Sequence, residues 1–199
     1  MTYPVPRRGL DVVVASIVLV LLLPLMLAIA ALIALSSSGA PLFRQWRVGR
    51  FGREFRMWKF RTMVADADSG RAALVAQSTE SEWLHLEHDP RVTPVGRVLR
   101  RASLDELPQL LNVIRGDMSL VGPRPLPPVE QASLPDWSRS RLEVRPGLTG
   151  LWQVRGRTDL DFESMLSLDC EYVRERSWQT DLRILVLTVP AVLTGRGAN

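Results

Sequence analysis

Two adjacent carboxylates, Asp105 and Glu106, follow closely after two arginines, Arg100 and Arg101. The Ser-x-x-Glu pattern in front of an apolar stretch is typical of a helix start and predicts a helix over residues 103–114 with the acidic pair in its first turn. A helix N-terminus and nearby guanidinium groups favour ionised carboxylates and also attract phosphate. An anionic nucleophile surrounded by cations is what attack by a carboxylate on phosphorus requires.

The acidic pair has two interpretations. Neighbouring side chains on a helix point about 100° apart, so the two carboxylates can divide the work. One attacks while the other holds a metal or takes part in proton transfer. The structural interpretation is equally simple, because acidic residues are favoured in a first helical turn and the Ser-x-x-Glu pattern caps helices without chemistry. The residues alone leave both open.

Two basic residues favour the chemical interpretation. Arg124 lies between Pro123 and Pro125, and a guanidinium on a stiff loop suits bidentate phosphate binding. An exposed arginine in a proline-rich loop is the simpler alternative. Lys59 is the only lysine among 25 lysine and arginine residues. This indicates a requirement for a compact point charge, although codon usage explains it nearly as well.

Other residues are weaker candidates. Loop glycines let backbone amides approach a ligand or serve turns alone. Asp169 and Glu171 are candidates for metal or substrate contacts, with a solvated helix face as the simpler alternative. His85 and His88 are interpreted as surface residues. The loop glycines are Gly147, Gly150 and Gly156.

Composition narrows the class of protein. The 199 residues are 46% hydrophobic and carry a formal charge of +4, and the excess cation supports contact with phosphates or anionic lipid headgroups. The single cysteine, Cys170, excludes an internal disulfide, and one cysteine with two histidines makes no thiolate-rich metal site.

Residues 12–35 form an apolar block interrupted only by Ser16 and Pro24. A straight helix over this block would be about 36 Å long, enough to cross a bilayer core of about 30 Å. Pro24 interrupts helical hydrogen bonding at the centre, and arginine-rich flanks at both ends are typical of the cytoplasmic side. The pattern favours a re-entrant helix–break–helix that enters and leaves on one face. A kinked spanning helix stays the alternative.

The remaining chain predicts mostly helices. We predict an interface-lying connector over residues 41–55, helices over residues 64–77 and 161–176, and a short helix beginning at Val95. Residues 151–154 are predicted as a short strand and residues 181–193 as a surface-lying helix, with a core element as the alternative. The fold class is therefore predominantly α with little sheet (α+β).

The chain resembles the bacterial sugar transferase family, the monotopic phosphoglycosyl transferases. The matching motifs run in family order over nearly the whole chain, which makes the resemblance highly specific. They are Arg8–Asp11, Lys59–Met63, Asp89–Arg97, Leu99–Val113, Arg115–Pro125, Arg145–Val154 and Asp181–Ala198.

The resemblance implies a reaction. Asp105 would attack the sugar-bearing phosphate of a UDP-sugar, release UMP and form an aspartyl phospho-sugar intermediate. Polyprenyl phosphate, usually undecaprenyl phosphate, would then accept the sugar phosphate. Magnesium is implied at Asp105 and Glu106, with Glu106 the more strongly metal-associated residue or the acid/base partner. The implied reaction is the first membrane step of bacterial polysaccharide or glycoconjugate assembly, and the sugar is left open.

The resemblance also assigns secondary roles and a location. Arg100 and Arg124 match positions around the phosphate site, Arg145 heads a loop linked to donor binding, and Lys59 matches a basic residue near the membrane face. Residues 1–40 would form a re-entrant membrane hairpin broken at Pro24. Residues 41–199 would form a catalytic domain on the cytoplasmic face of the inner membrane, as in the minimal form of the family.

Two other functions remain as alternatives: a membrane-anchored nucleotide-sugar phosphodiesterase and a non-catalytic membrane assembly factor. The expected partners are the UDP-sugar, polyprenyl phosphate and the lipid bilayer. No nucleic acid is expected, and a homodimer stays open.

Overall fold

The computed structural model describes residues 5–64, 67, 89–156 and 160–194. Most of the helix predicted over residues 64–77 lies outside them, as do His85 and His88. Short 3₁₀ helices cover Arg50–Gly52, Leu104–Gln109 and Asp136–Glu143. The predominantly α class with little sheet is confirmed. In chain order the other elements are α1 Val5–Ser36, β1 Leu42–Val48, β2 Glu54–Phe60, α2 Pro94–Arg101, α3 Leu110–Arg115, β3 Ser119–Val121, α4 Pro128–Ala132, β4 Gly147–Thr149, α5 Leu151–Arg155, α6 Phe162–Glu175 and α7 Trp178–Thr194.

Helix α1 runs from Val5 to Ser36 and contains Pro24. The prediction of two helices separated by a break at Pro24 is therefore corrected to one helix with an internal proline. Proline removes one backbone N–H, while the leucines and alanines on either side are strong helix formers that keep the rest of the hydrogen-bond ladder. The stretch Arg7–Ser36, which contains an 18-residue window with a mean hydropathy of 3.1, is long and apolar enough to cross a membrane.

Polar contacts attach both ends of α1 to the rest of the chain. Near its start, Asp11 accepts a hydrogen bond from Ser119 Oγ at 2.7 Å. Just beyond its end, the Arg61 guanidinium donates to the carbonyl oxygens of Ser37 and Ser38 at 2.9 and 2.6 Å. The two ends of the helix are thus held by the same body of protein.

Between these ends, α1 packs on two hydrophobic clusters. Ala15 is fully buried in the main core, and Leu19 packs against both clusters. The exposed side of α1 is lined by large apolar residues such as Val20 and Leu21, which suits contact with lipid. The buried members of the second cluster are Met26, Ile29, Ile33, Phe60 and Leu99.

Strands β1 and β2 form an antiparallel hairpin where an interface-lying connector was predicted. On its outer face two cross-strand pairs alternate a guanidinium with an indole ring. Arg44 lies 4.0 Å from the Trp58 ring centroid, and Arg56 lies 4.9 Å from that of Trp46. Such cation–π pairs tie the strands together. The hairpin places Lys59 at the end of β2, next to the candidate site.

Strands β3 and β4 pair in parallel, with Ser119 opposite Gly147. The short strand predicted at residues 151–154 is wrong, because these residues lie in helix α5. The strand is β4, just before α5, and its first residue Gly147 has no Cβ to obstruct pairing. A Cβ on Gly147 would sit 2.1 Å from the Gly122 nitrogen, and one on Gly150 would sit 2.4 Å from the Gly122 oxygen. These two glycines therefore allow backbone-to-backbone contact within the protein.

Three further predicted helices are present in the structure. Helix α2 spans Pro94–Arg101 and is capped by Thr93, whose side chain accepts a hydrogen bond from the Gly96 N–H. Helix α6 covers Phe162–Glu175, as predicted for residues 161–176. Helix α7 extends the C-terminal apolar segment to Trp178–Thr194 and exposes Leu182, Val186 and Val189, while Ile184 on the same helix is buried in the main core. The helix thus lies at the protein surface with one face packed on the core, and its position on a membrane surface stays a prediction.

Candidate active site

The acidic pair lies in the 3₁₀ helix Leu104–Gln109, and α3 follows directly. The predicted single α-helix over residues 103–114 is corrected, since Pro108 lacks the N–H that an α-helix would bond to the carbonyl four residues earlier. The predicted capping box is also wrong. Ser103 has a left-handed backbone (φ 53°), its side chain does not cap the helix, and the Glu106 carboxylate points elsewhere.

Glu106 contacts two cations from distant parts of the chain. Lys59 Nζ lies 2.8 Å from Glu106 Oε1, and Arg124 Nη1 lies 3.2 Å from the same oxygen. Lys59 Nζ also lies 3.7 Å from Asp105 Oδ2, so the ammonium bridges both carboxylates. The structure thus brings together Lys59, Arg124 and the acidic pair.

Arg100 approaches the site from the last turn of α2. Its Nε donates to Thr62 Oγ1 at 2.9 Å, which fixes the guanidinium beside the buried carboxylate. The charge of Arg100 lowers the pKa of Asp105, although its effect is weaker than that of Lys59. Thr62 was not identified from the sequence, because a threonine after a strand carries no signal of its own.

The two carboxylates differ in electrostatics. Burial raises the pKa of Asp105, and the charge of Glu106 adds to this rise, against the opposing effects of Lys59, Arg100 and Arg124. Burial also disfavours the ionised form of Glu106, but Lys59 and Arg124 lower its pKa to about 2. Glu106 is therefore ionised at neutral pH, and the positive charges of Lys59 and Arg124 balance its negative charge. Asp105, whose pKa is raised, is the more basic carboxylate.

The loop Gly122–Leu126, which carries Arg124, is held through its carbonyl groups. Proline has no N–H, so the two prolines of this loop cannot donate to a ladder. Instead, four consecutive carbonyl oxygens accept hydrogen bonds from three elements, namely β1, β4 and the 3₁₀ helix Asp136–Glu143. The donors are Gly147 N to Pro123, Arg141 Nη2 to Arg124, Arg47 Nη1 to Pro125 at 3.3 Å, and Val48 N to Leu126 at 2.9 Å.

Asn112 was also missed from the sequence. It is fully buried on α3, its Oδ1 accepts from the Trp58 N–H at 3.0 Å, and its Nδ2 donates to the Arg56 carbonyl at 2.8 Å. These bonds hold β2 against the segment that carries the acidic pair, and so set the position of Lys59. An amide within the apolar run Leu-Leu-Asn-Val was the available signal.

Arg145 lies away from the acidic pair. Its Nε donates to the Gly116 carbonyl at 2.9 Å. At the rise per residue of a helix, Gly116 lies about 16 Å along the chain from Asp105. Gly116, with φ 95°, ends α3 as predicted. Arg8 donates to the carbonyl oxygens of the preceding residues at this same helix end. The role of Arg145 in donor binding stays a prediction.

The two weaker acidic candidates also lie outside the site. Asp169 is 2% exposed and pairs with Arg141, so a solvated face is wrong for this residue. Glu171 pairs with Arg155 at 2.9 Å on the surface, which agrees with the structural alternative.

Comparisons with known proteins give a consistent result. The family model described as bacterial sugar transferase matches residues 2–195. The chain is 43% identical to the exopolysaccharide production protein ExoY of Rhizobium meliloti, over 96% of this chain and 87% of that protein. It is 45% identical to the UDP-glucose:undecaprenyl-phosphate glucose-1-phosphate transferase of Caulobacter vibrioides, over 94% of this chain and 70% of that protein. The galactosyl transferase CpsE of Streptococcus agalactiae is 41% identical, over 98% of this chain and 44% of that protein.

Proposed function

The chain belongs to the bacterial sugar transferase family, and from this membership we propose that it transfers a sugar phosphate from a UDP-sugar to polyprenyl phosphate, with Asp105 as nucleophile. Three relatives are named as transferases that act on undecaprenyl phosphate, and the names of two of these also specify UDP-glucose. The observation that carries the proposal is the pairing of a buried, basic Asp105 with a Glu106 already neutralised by Lys59 and Arg124.

The proposed reaction has two displacements at the same phosphorus atom. In the first, an Asp105 carboxylate oxygen bonds to the sugar-bearing phosphorus, and the bond to the bridging oxygen breaks, so UMP leaves with the electron pair. In the second, a phosphate oxygen of polyprenyl phosphate attacks the phosphorus and the Asp105 carboxylate leaves. The product is a polyprenyl diphosphate sugar, and the kinetics are ping-pong.

The cations around Asp105 reduce the electrostatic repulsion between an anionic nucleophile and an anionic substrate. Lys59 bridges the two carboxylates, and Arg124 is 30% exposed at the side of Glu106, so both can contact substrate phosphate oxygens. Arg100 lowers the cost of a negative charge on Asp105. Because these charges are held in place before substrate arrives, they stabilise the developing charge without reorganisation. Glu106, with a pKa of about 2, keeps the two cations in position and is a weak proton acceptor at neutral pH.

The site could hold magnesium through two carboxylates, with the remaining ligands supplied by substrate phosphates and water. Among the residues that the structure describes, no three His, Cys, Asp or Glu side chains come together to hold a metal. Mg²⁺ often binds through one or two carboxylates together with substrate phosphates and water, and Asp105 and Glu106 offer such oxygens. Bound there, the ion would neutralise charge on the diphosphate and its leaving group.

We further propose that α1 enters and leaves the bilayer on the cytoplasmic face, with residues 41–199 as the catalytic domain on that side. The helix contacts this domain at its start, at Ala15, at Leu19, at Met26 and beyond its end. The stretch between Leu19 and Met26 rises by about 10 Å, whereas the hydrocarbon core is about 30 Å thick. An upright spanning helix would carry a much longer stretch away from the domain.

This arrangement is tested by chemical labelling. With Cys170 replaced by serine, single cysteines at Gly9→Cys and Ser38→Cys should both resist a membrane-impermeant maleimide in intact spheroplasts and react in inside-out vesicles. Reaction of one position from the periplasmic side would show a spanning helix and overturn this part of the proposal.

The activity is tested with purified protein in nanodiscs and a panel of radiolabelled UDP-sugars. One donor should give one equivalent of UMP and a mass increase of one sugar phosphate on Asp105, and catalytic turnover should require polyprenyl phosphate. Continuous UMP release without lipid would indicate a phosphodiesterase. Full function in cells of an Asp105→Asn variant would indicate an assembly factor.

A further inference from the structure

A buried ion pair lies beneath the backbone of Arg124, and no step of the proposed reaction uses it. Arg141 and Asp169 are 4% and 2% exposed, and Arg141 Nη2 lies 2.8 Å from Asp169 Oδ2. The same Nη2 donates to the Arg124 carbonyl oxygen, and Arg141 Nη1 donates to Gln131 Oε1 at 2.8 Å. Groups from α4, α6 and the proline loop thus converge on the Arg141 guanidinium.

Asp169 faces the backbone of Arg124 from α6. Its surroundings contain the Arg141 guanidinium from the 3₁₀ helix Asp136–Glu143, and both the guanidinium and the backbone N–H of Arg124 from the proline loop. Burial raises the pKa of Asp169 to about 6 against these opposing influences. The pair therefore carries a cost of burial that it recovers only while all partners remain in place.

We propose that Arg141 and Asp169 are positioning residues, which hold the Arg124 backbone so that its guanidinium reaches Glu106 and the substrate phosphate. The inference rests on the proposed function, since it assigns a task to Arg124 in that reaction. Because proline has no N–H, the loop on either side of Arg124 cannot form replacement ladder bonds when this support is removed.

The chemical reason for such support is the sensitivity of phosphate transfer to geometry. A displacement of about 1 Å in a substrate-contacting group can lower the rate by about 10²-fold. Arg124 lies at the surface of the site with 30% of its side chain exposed, so its own contacts do not fix it from the solvent side. The buried pair holds it from below.

A double-mutant cycle separates this role from a general contribution to folding. Asp169→Asn alone should lower kcat/KM for the donor by about 30-fold. In an Arg124→Ala background the same change should cost less than about 3-fold, because the group that it positions is already gone. Equal losses in both backgrounds would overturn the proposal.

The matched control removes another arginine–aspartate pair. Asp181 pairs with Arg7 at 3.2 Å, between α7 and α1. Asp181→Asn should lower thermal stability, and its small effect on kcat/KM should be the same with or without Arg124. Coupling of Asp181 to Arg124 as strong as that of Asp169 would show that the cycle reports only global destabilisation, and would refute the positioning role.

A second readout needs no substrate and keeps the inference apart from the proposed function. In Asp169→Asn, amide hydrogen exchange should rise at least about 10-fold in a peptide covering residues 119–126 and stay unchanged in residues 110–115. A uniform rise would overturn the positioning role. Absence of any sugar-phosphate transfer by the wild-type protein would refute the proposed function while this exchange result still stands.

A variant that removes both charges covers the case in which Asp169→Asn fails to fold. Arg141→Met with Asp169→Leu replaces the pair by apolar side chains, which is often tolerated. We expect this double variant to fold and to show the same loss of kcat/KM and the same local rise in exchange. Full activity in the folded double variant would refute the proposal.

Discussion

The segment Leu104–Arg115 meets basic side chains at both ends, and the two ends differ in what those side chains contact. At the acidic end, Lys59 and Arg124 contact side-chain carboxylates. At the capped end, Arg8 and Arg145 donate to backbone carbonyl oxygens. Both arrangements agree with the helix dipole, which favours carboxylates at the first end and cations at the last.

The arginines at the capped end contribute to stability, whereas the cations at the acidic end are placed to assist chemistry. The last carbonyl groups of a helix have no partner within the helix, so Arg8 and Arg145 satisfy a need that every helix end has. No such backbone need explains Lys59 and Arg124. They gather around Glu106, while Asp105 is buried with a raised pKa. The acidic end thus contains a buried carboxylate with a raised pKa, and the capped end has no such group among the residues that contact it.

The largest effect should come from Asp105→Asn. The change is isosteric and removes the proposed nucleophile at the acidic end, so transfer should fall by about 10³-fold or more, with loss of the covalent adduct by intact-mass analysis. Glu171→Gln is the control, since its pair with Arg155 lies on the surface and such pairs contribute little. Adduct formation on the Asp105→Asn variant at the wild-type rate would contradict the assignment.

Lys59→Met should lower kcat by about 10²-fold, the effect expected when a preorganised charge is lost from a reaction site. Lys59→Arg, which keeps the charge, should recover part of the activity. Steady-state kinetics with saturating lipid acceptor measure both. Should Lys59→Met keep more than a third of wild-type kcat, the ammonium would have only a structural role.

The pH dependence of stability should distinguish Glu106 from the buried Asp169. The pKa of Glu106 is lowered to about 2, so its contribution is present above pH 4.5 and is lost as pH falls towards 2. The pKa of Asp169 is raised to about 6, so the folded state binds an extra proton between about pH 4 and 6, and stability decreases by about 3 kcal/mol as pH rises through that window. Asp169→Asn should flatten this slope in thermal melts from pH 4 to 7, and Glu106→Gln should not. Identical slopes in all three proteins would refute this description.

The smallest effects should come from the capped end. Arg8→Met and Arg145→Met each remove donors to carbonyl oxygens, with an expected loss of about 1 kcal/mol and a fall in Tm of about 2–4 °C. The donor KM should rise in Arg145→Met alone if Arg145 also serves donor binding. An equal donor KM in the two variants would leave Arg145 with only the capping role.

Local patterns predicted a large share of this protein. The apolar block, the helices beginning at Pro94 and Phe162 and the helix end at Gly116 depend on residues within a few positions of each other, and all were identified from the sequence. The acidic pair was recognised in the same way, because adjacency is a property of the chain. The capping box predicted for this pair is wrong. Pro108 prevents a regular α-helix at this point, and the Glu106 side chain pairs with distant cations instead of capping the helix.

Only the tertiary structure decided how the site is assembled. Lys59 and Glu106 lie 47 residues apart in the chain, and no periodic pattern links them. The parallel pairing of β3 with β4 depends on the close approach of Gly122 to Gly147. Asp169 was interpreted from the sequence as a surface residue, and only the folded structure shows that it is buried against Arg141. The difference in basicity between two adjacent carboxylates follows from burial and from charges on other elements. These are properties of a three-dimensional environment, which residue types and spacing do not contain.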